Sequence, residues 1–197
     1  MRLPTIALDT SVRASDMILR VDSDAAYLVA PEARSRAGGY HYLSNKEGTV
    51  FNGPVLALAK VIKNVMASAA EAELGALYLN GQEAVALRDT LGAMGYPQPP
   101  TPMKTGNSTA NGIINNTMKQ KRSKAIDMRF YWIRDRVKQG QFKVFWEAGA
   151  TNFGDFYTKH HPPMYHRVMR PIHTYVEGIS PESLQGCIEI MKNSQTG

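Results

Sequence analysis

A change of hydrophobic period at Ser68 constrains the fold of this chain more than any other feature. Ahead of it the apolar residues come in short runs, Met17 to Asp24, Tyr40 to Leu43 and Val50 to Val61, each of strand length. Beyond it Leu74, Leu77, Ala84, Leu87, Leu91 and Met94 recur at spacings of three, seven, three, four and three, the pattern of one helical face. Ser68 and Glu71 form the S-x-x-E capping box that starts such a helix. Asn80-Gly81 falls in the seven-residue gap, where a kink or a break is expected. Gly95 and the proline-rich stretch 97–102 end the pattern.

The remaining elements follow in the same way. Residues 25–37 read as a loop, Gly38-Gly39 opens the second strand, and Ser44 to Gly48 has hairpin-turn chemistry. Gly53-Pro54 marks a bulge in the third strand. After the long helix come a brief strand at Met103 to Thr105 and a short helix over Asn107–Asn116. A helix over Ser123–Gln139 carries the stripe Ile126, Phe130, Ile133 and Val137, and a strand follows at Phe142 to Trp146. A last helix begins near Asn152 and ends at Pro162-Pro163. The first three strands can pair as hairpins and the later two need crossovers. The expected fold is therefore α/β, a five-stranded mixed sheet flanked by helices. With 197 residues and 43% hydrophobic content the chain can build one good core and not two. The expected division is a weakly ordered segment 1–13, a domain over 14–174, and a tail over 175–197.

Charge is concentrated. Lys119, Lys121, Arg122, Lys124, Arg129, Arg134, Arg136 and Lys138 stand against Asp127 and Asp135, which accounts for the whole net charge of +6. A neutral body with one basic block suits a polyanion held at one face; charge alone leaves a solvated helix surface equally open. Cys187 is the only cysteine, so no internal disulfide forms and a reducing compartment, cytoplasmic or nuclear, is expected. No apolar run approaches the ~20 residues of a membrane span, and residues 1–10 read as neither a signal nor a transit peptide.

Four short segments carry the chemistry: V-D-S-D-A-A at 21–26, S-A-A-E-A-E-L at 68–74, T-G-N-S-T-A at 105–110 and G-D-F-Y-T-K at 154–159. Asp22 and Asp24 alternate along a strand and so share a face. Two acids at a buried strand end need a cation or hydrogen-bond donors to offset desolvation. Glu71 is used by the capping box, which leaves Glu73 free for chemistry. Asp155 sits in the first turn after the expected cap Asn152, where the helix dipole favours an acid in any case. The histidines His160, His161 and His166 read as surface or packing residues, since a single distant cysteine makes a structural zinc site a poor match.

Together with A-R-S-R-A-G-G-Y, K-Q-K-R-S-K-A-I-D-M-R-F-Y-W-I-R-D-R-V and T-N-F-G-D-F-Y-T-K-H-H-P, these segments resemble the ribonuclease H domain of copia-type retrotransposon polyproteins. The resemblance runs in family order over about residues 14–173. It implies a ribonuclease H-like fold and two-metal cleavage of the RNA strand in RNA–DNA hybrids. The implied cofactor is Mg²⁺ or Mn²⁺, the implied ancestral partner a reverse transcriptase domain, and a monomer is expected. By the same resemblance Asp24, Glu73 and Asp155 are the first, second and fourth catalytic carboxylates. The third position, expected in a T-D-N-S setting, is Gly106. Glycine offers no side-chain oxygen, so the second metal position is weakened. Asp22 and Asn107 are the possible substitutes, and the basic block is the implied nucleic-acid surface. The alternative is an inactive relic or a domesticated domain that binds nucleic acid or protein.

Overall fold

The computed structural model describes residues 13–50, 53–115, 124–148 and 151–174. A five-stranded sheet has the order β3-β2-β1-β4-β5, with β1 at Ile18–Ala30, β2 at Arg34–Ser44, β3 at Pro54–Val61, β4 at Thr101–Thr105 and β5 at Phe142–Trp146. The pairs β1–β2 and β2–β3 are antiparallel, and β1–β4 and β4–β5 are parallel. The mixed sheet expected from hairpins followed by crossovers is the one that forms.

Three boundaries differ from the sequence reading. The stretch 25–37, read as a loop, continues β1 to Ala30 and begins β2 at Arg34. The two strands join through Pro31–Arg34, with Glu32 at φ 59° and Ala33 at φ 54°. Two successive left-handed residues make the turn that matches strand twist, normally flagged by Asn or Gly, and neither is present here. The third strand starts at Pro54 rather than Val50, because a proline lacking its N–H sits best at the first residue of an edge strand. Its register against β2 shifts between His41 and Tyr42, beside the expected Gly53-Pro54 irregularity.

Helix α1 is continuous over Ala69–Ala93, so Asn80-Gly81 neither kinks nor splits it. Both residues are used for close approach. The Asn80 side chain is fully buried and donates to Ser23 Oγ at 3.0 Å and to the Gly38 carbonyl at 2.9 Å. A Cβ on Gly39 would stand 1.7 Å from Asn80 Oδ1, so only glycine lets this strand lie under the amide. On the other side of α1, a Cβ on Gly81 would meet Ile133 Cδ1 at 2.8 Å. That contact seats helix α3, Lys124–Lys138. Leu74, Leu77 and Ala84 of the expected stripe are buried with Phe130, Ile133, Phe142 and Val144. Met94 is 65% exposed because it caps the helix end instead of extending the stripe.

The opposite face of the sheet is covered from the C-terminal side. Tyr40 and Tyr42 pack against Phe153, Met169 and Ile172. The final helix expected from Asn152 to Pro162 is instead a short 3-10 segment, Phe153–Tyr157, followed by helix α4 at Pro163–His173. The proline pair starts a helix rather than ending one, since Pro163 occupies the first turn, where a missing N–H costs nothing. Helix α2, Ser108–Ile114, follows β4 directly, capped by Asn107.

Candidate active site

Strand β4 ends against the middle of β1, with Val21, Asp22 and Ser23 opposite Met103, Lys104 and Thr105. Two charged arrangements lie at this end. The inner one is built on Asp22, whose carboxylate accepts from Lys104 Nζ at 3.0 Å and from the Phe153 backbone N–H at 3.1 Å. Lys104 also contacts Glu147 at 3.1 Å and donates to the Thr151 carbonyl at 2.7 Å. Burial disfavours the Lys104 charge, but Asp22 and Glu147 more than offset it and hold its pKa above the ordinary lysine value. Asp22 is thus committed to joining β1, β4 and the 3-10 segment.

The outer arrangement contains the three acids singled out in the sequence. Asp24 is 5% exposed; its Oδ2 accepts the Thr158 hydroxyl and lies 3.8 Å from Lys159 Nζ. Asp155 makes a close contact with the same ammonium and sits 3.6 Å from His161 Nε2. Asn152 places this segment: it donates to the Ser23 carbonyl at 2.7 Å and accepts the Gly154 N–H at 3.0 Å. The expected cap is therefore present, on a 3-10 turn. Glu73 comes from the first turns of α1 and accepts from Thr105 Oγ1 at 3.2 Å. Half of the expected Ser68–Glu71 box forms: the Glu71 N–H donates to Ser68 Oγ at 3.2 Å, while its carboxylate accepts the Ala67 N–H at 2.7 Å, so Glu73 is not used for capping.

Burial makes these acids costly. It raises the pKa of Asp24, against the lowering effect of Thr158 and Lys159. Glu73 is pushed up to about 8, first by burial and then by the negative charge of Asp24. Burial would lower the pKa of Lys159, yet its contact with Asp155 and the charges of Asp24 and Glu73 raise it. Among the described residues no three His, Cys, Asp or Glu side chains are grouped so as to hold a metal ion. Asp24 and Asp155 are brought to one cation; Glu73 sits beside them, tied to Thr105.

A pH dependence follows. The folded protein keeps the Glu73 proton up to about pH 8, whereas the unfolded chain releases it near 4.5. Between these values the folded state binds more protons, so stability falls as pH rises through the window, by a few kcal/mol at most. Buried His173 and His41, whose pKa values are lowered by burial, act in the opposite sense below about pH 6.5, so the comparison with Glu73→Gln isolates the effect: in EDTA the wild-type urea midpoint should fall relative to that of Glu73→Gln from pH 5 to pH 8. A difference between the two that does not change with pH would contradict the assignment.

Gly106 follows Thr105 at the end of β4, and its carbonyl accepts from Trp146 Nε1 at 3.2 Å. Among the described residues the glycines with positive φ are Gly48, Gly53, Gly95 and Gly140; Gly106 is not one of them. Asn107 is engaged, its Oδ1 accepting the Ala110 N–H at 2.9 Å. His161, read from sequence as surface or packing, stacks on Tyr165 at 4.0 Å and also touches Asp155. The sequence reading passed over Lys104, Thr158 and Lys159. For the last two the signal was in G-D-F-Y-T-K itself, where Lys159 stands one helical turn beyond Asp155.

Of the basic block, Lys119, Lys121 and Arg122 lie outside the described residues, and Lys124 begins α3. Arg129 lies 5.7 Å over the Tyr78 ring and donates to Asn64 Oδ1 at 3.0 Å. Arg136 lies 5.0 Å over Trp132, and Arg134 lies 5.8 Å over Phe130. Arg134 and Lys138 line an open depression with Tyr131 and Asp135.

The sheet order, strand directions and helix placement define a ribonuclease H-like fold. A similar solved structure is LC11-RNase H1, isolated from compost by a metagenomic approach: TM-score 0.51, 12% identity, 72% of this chain and 92% of that one. The same protein in complex with an RNA/DNA hybrid also gives 0.51 at 12% identity, over 71% and 93%. In sequence, the chain is 30% identical over 145 residues to the Retrovirus-related Pol polyprotein from transposon TNT 1-94 of Nicotiana tabacum. That match covers 74% of this chain and 10% of the polyprotein, so the chain spans about a tenth of the relative's length. No family model matches.

Proposed function

We propose that this chain is a copia-type retrotransposon ribonuclease H domain, extending over 14–174, that binds RNA–DNA hybrids and whose cleavage is impaired at Gly106. The observation that carries the reading is the convergence of Asp24 and Asp155, 131 positions apart in the chain, on one cation beside the middle of β1. Glu73 accepts the Thr105 hydroxyl, and Gly106 is the next residue after Thr105. The similarity to a retrotransposon polyprotein supports the same reading.

The donor set bears on the metal. Carboxylate oxygens suit Mg²⁺ or Mn²⁺, and Glu73 and Asp24, buried and mutually repelling, would gain from a divalent cation. Gly106 supplies no oxygen, Asp22 is paired with Lys104, and Asn107 is used as a cap. The donor chemistry suits at most one ion, centred on Asp24 and Asp155, because Glu73 is tied to Thr105 and no three acids are grouped around a common point among the described residues. A divalent ion held there would supply charge to neutralise phosphate and to make a bound water more acidic. The chain's own groups fix the carboxylates: Thr158 holds Asp24, Thr105 holds Glu73, and Asn152 seats the segment carrying Asp155. The second reading, a domain that binds without cleaving, is favoured by the same gap at Gly106.

Either reading needs a polyanion surface. The basic block from Lys119 to Lys138 supplies it, with exposed Lys138 and partly buried Arg134 beside Tyr131. Hybrid affinity should fall steeply with salt, and Lys121→Ala/Arg122→Ala/Lys124→Ala should reduce the log–log slope by about two to three through lost counterion release. Fluorescence anisotropy across a salt series reads this directly. An unchanged slope would make the block a solvated face.

A further inference from the structure

We infer that Lys159 is a built-in counter-cation of the carboxylate site and competes there with a divalent metal ion. This rests on the reading of Asp24, Glu73 and Asp155 as the cation site.

Three observations carry the inference. The Lys159 ammonium contacts Asp155 and lies 3.8 Å from Asp24, so one positive charge faces both acids brought in from β1 and the 3-10 segment. Its side chain is exposed, at 48%, so a hydrated ion can approach the same carboxylate oxygens from solvent. Its backbone is held: the Lys159 N–H donates to the Asp155 carbonyl at 3.4 Å, and neighbouring Thr158 is bound to both Asp24 and Asp155.

A lysine ammonium and a hydrated divalent ion are alternatives at the same oxygens. The ammonium fills one position with one charge and three donors. A divalent ion takes six or more oxygen ligands and doubles the charge. To admit the ion, Lys159 must leave Asp155 and Asp24, and the lost contacts are subtracted from metal affinity. With Gly106 contributing no ligand, the metal starts from a poorer set and the lysine competes more successfully. The other cation at this end, Lys104, is bound to Asp22, Glu147 and the Thr151 carbonyl, so it does not relieve Asp24. The His161 ring also faces Asp155, 3.6 Å from its carboxylate, but stacks on Tyr165.

The test is calorimetric titration of the whole chain with MnCl₂, comparing wild type with Lys159→Gln. Removing the competitor should tighten Mn²⁺ binding at least about tenfold. Equal or weaker affinity in a folded Lys159→Gln protein, or no measurable binding to it, overturns the inference. Should that variant fail to fold, the wild type still decides. Acetic anhydride labelling read by mass spectrometry should modify Lys159 several-fold faster in saturating Mn²⁺, because the ion releases the ammonium. Labelling of Lys159 that is unchanged or slowed by Mn²⁺ overturns it equally. Neither readout involves hybrid cleavage. A variant that binds Mn²⁺ tightly and cleaves nothing leaves this inference standing and counts against the nuclease reading alone.

Discussion

Gly106→Asp is expected to raise cleavage of an RNA–DNA hybrid at least about tenfold over a nearly inert wild type. That gain asks for only about 1.4 kcal/mol of barrier, a modest return for adding the charged ligand that the proposed site lacks. The position is suited to the repair. Gly106 is not among the described glycines that need positive φ, so an aspartate is tolerated by the backbone. Its carbonyl is held by Trp146 and its neighbour Thr105 is bonded to Glu73, so a new carboxylate enters a strand end that is already fixed. The two substitutes expected from the sequence are occupied elsewhere, Asp22 by Lys104 and Asn107 by the α2 cap. The repaired enzyme should in turn depend on Asp24, Glu73 and Asp155. A folded Gly106→Asp protein that stays inert would show that decay extends beyond this position.

Lys104→Met should destabilise the domain by roughly 3–5 kcal/mol, the usual cost of leaving one partner of a buried ion pair behind. Lys104 and Asp22 side chains are 8% and 3% exposed, so water cannot replace the lost ammonium. Glu147, 52% exposed, adds little, since exposed pairs are weak. The pair spans three elements: Asp22 on β1, Lys104 on β4, and the Phe153 N–H of the 3-10 segment bonded to Asp22. Loss of the lysine therefore also loosens the segment that carries Asp155. Urea denaturation measures the effect, and Lys104→Met/Asp22→Leu should recover most of it by removing the stranded charge. A double variant no more stable than the single one would place the cost in packing rather than charge.

Much of the architecture was legible because period and turn chemistry agreed along the chain. The capping box at Ser68, the Leu74–Leu77 face of α1 and the Phe130–Ile133 face of α3 each pointed to the contact that forms. Residues 25–37 were not legible. The turn at Glu32-Ala33 takes left-handed angles with residues that seldom adopt them, and its strand-forming neighbours lack polar alternation. Asn80-Gly81 misled because a helix breaker in isolation can be a packing device in a core: Gly81 admits α3, and the Asn80 amide bonds to β1 and β2. The proline pair at 162–163 misled for a related reason, since proline ends a helix in its interior and begins one at its first turn.

The acids stood out in the sequence because Asp22 and Asp24 close an apolar run and Glu73 and Asp155 follow expected helix caps. Their counter-charges did not. Lys104 lies in a five-residue strand where only the register of β1 against β4 places it opposite Asp22. Lys159 follows Asp155 at helical spacing, a surface-pair pattern on its own, and only folding brings Asp24 to the same ammonium. A sequence lists carboxylates; which cation each one meets depends on strand register and on a chain crossing between distant segments.

One experiment reaches the central claim most directly: cleavage of an end-labelled RNA–DNA hybrid in Mg²⁺ and in Mn²⁺ by wild type, Gly106→Asp, and Asp24→Asn made in each background. The account predicts little or no product from wild type, clear product from Gly106→Asp, and none once Asp24→Asn is added. Robust wild-type cleavage that Asp24→Asn abolishes would contradict it, since the site would then be complete without the third carboxylate.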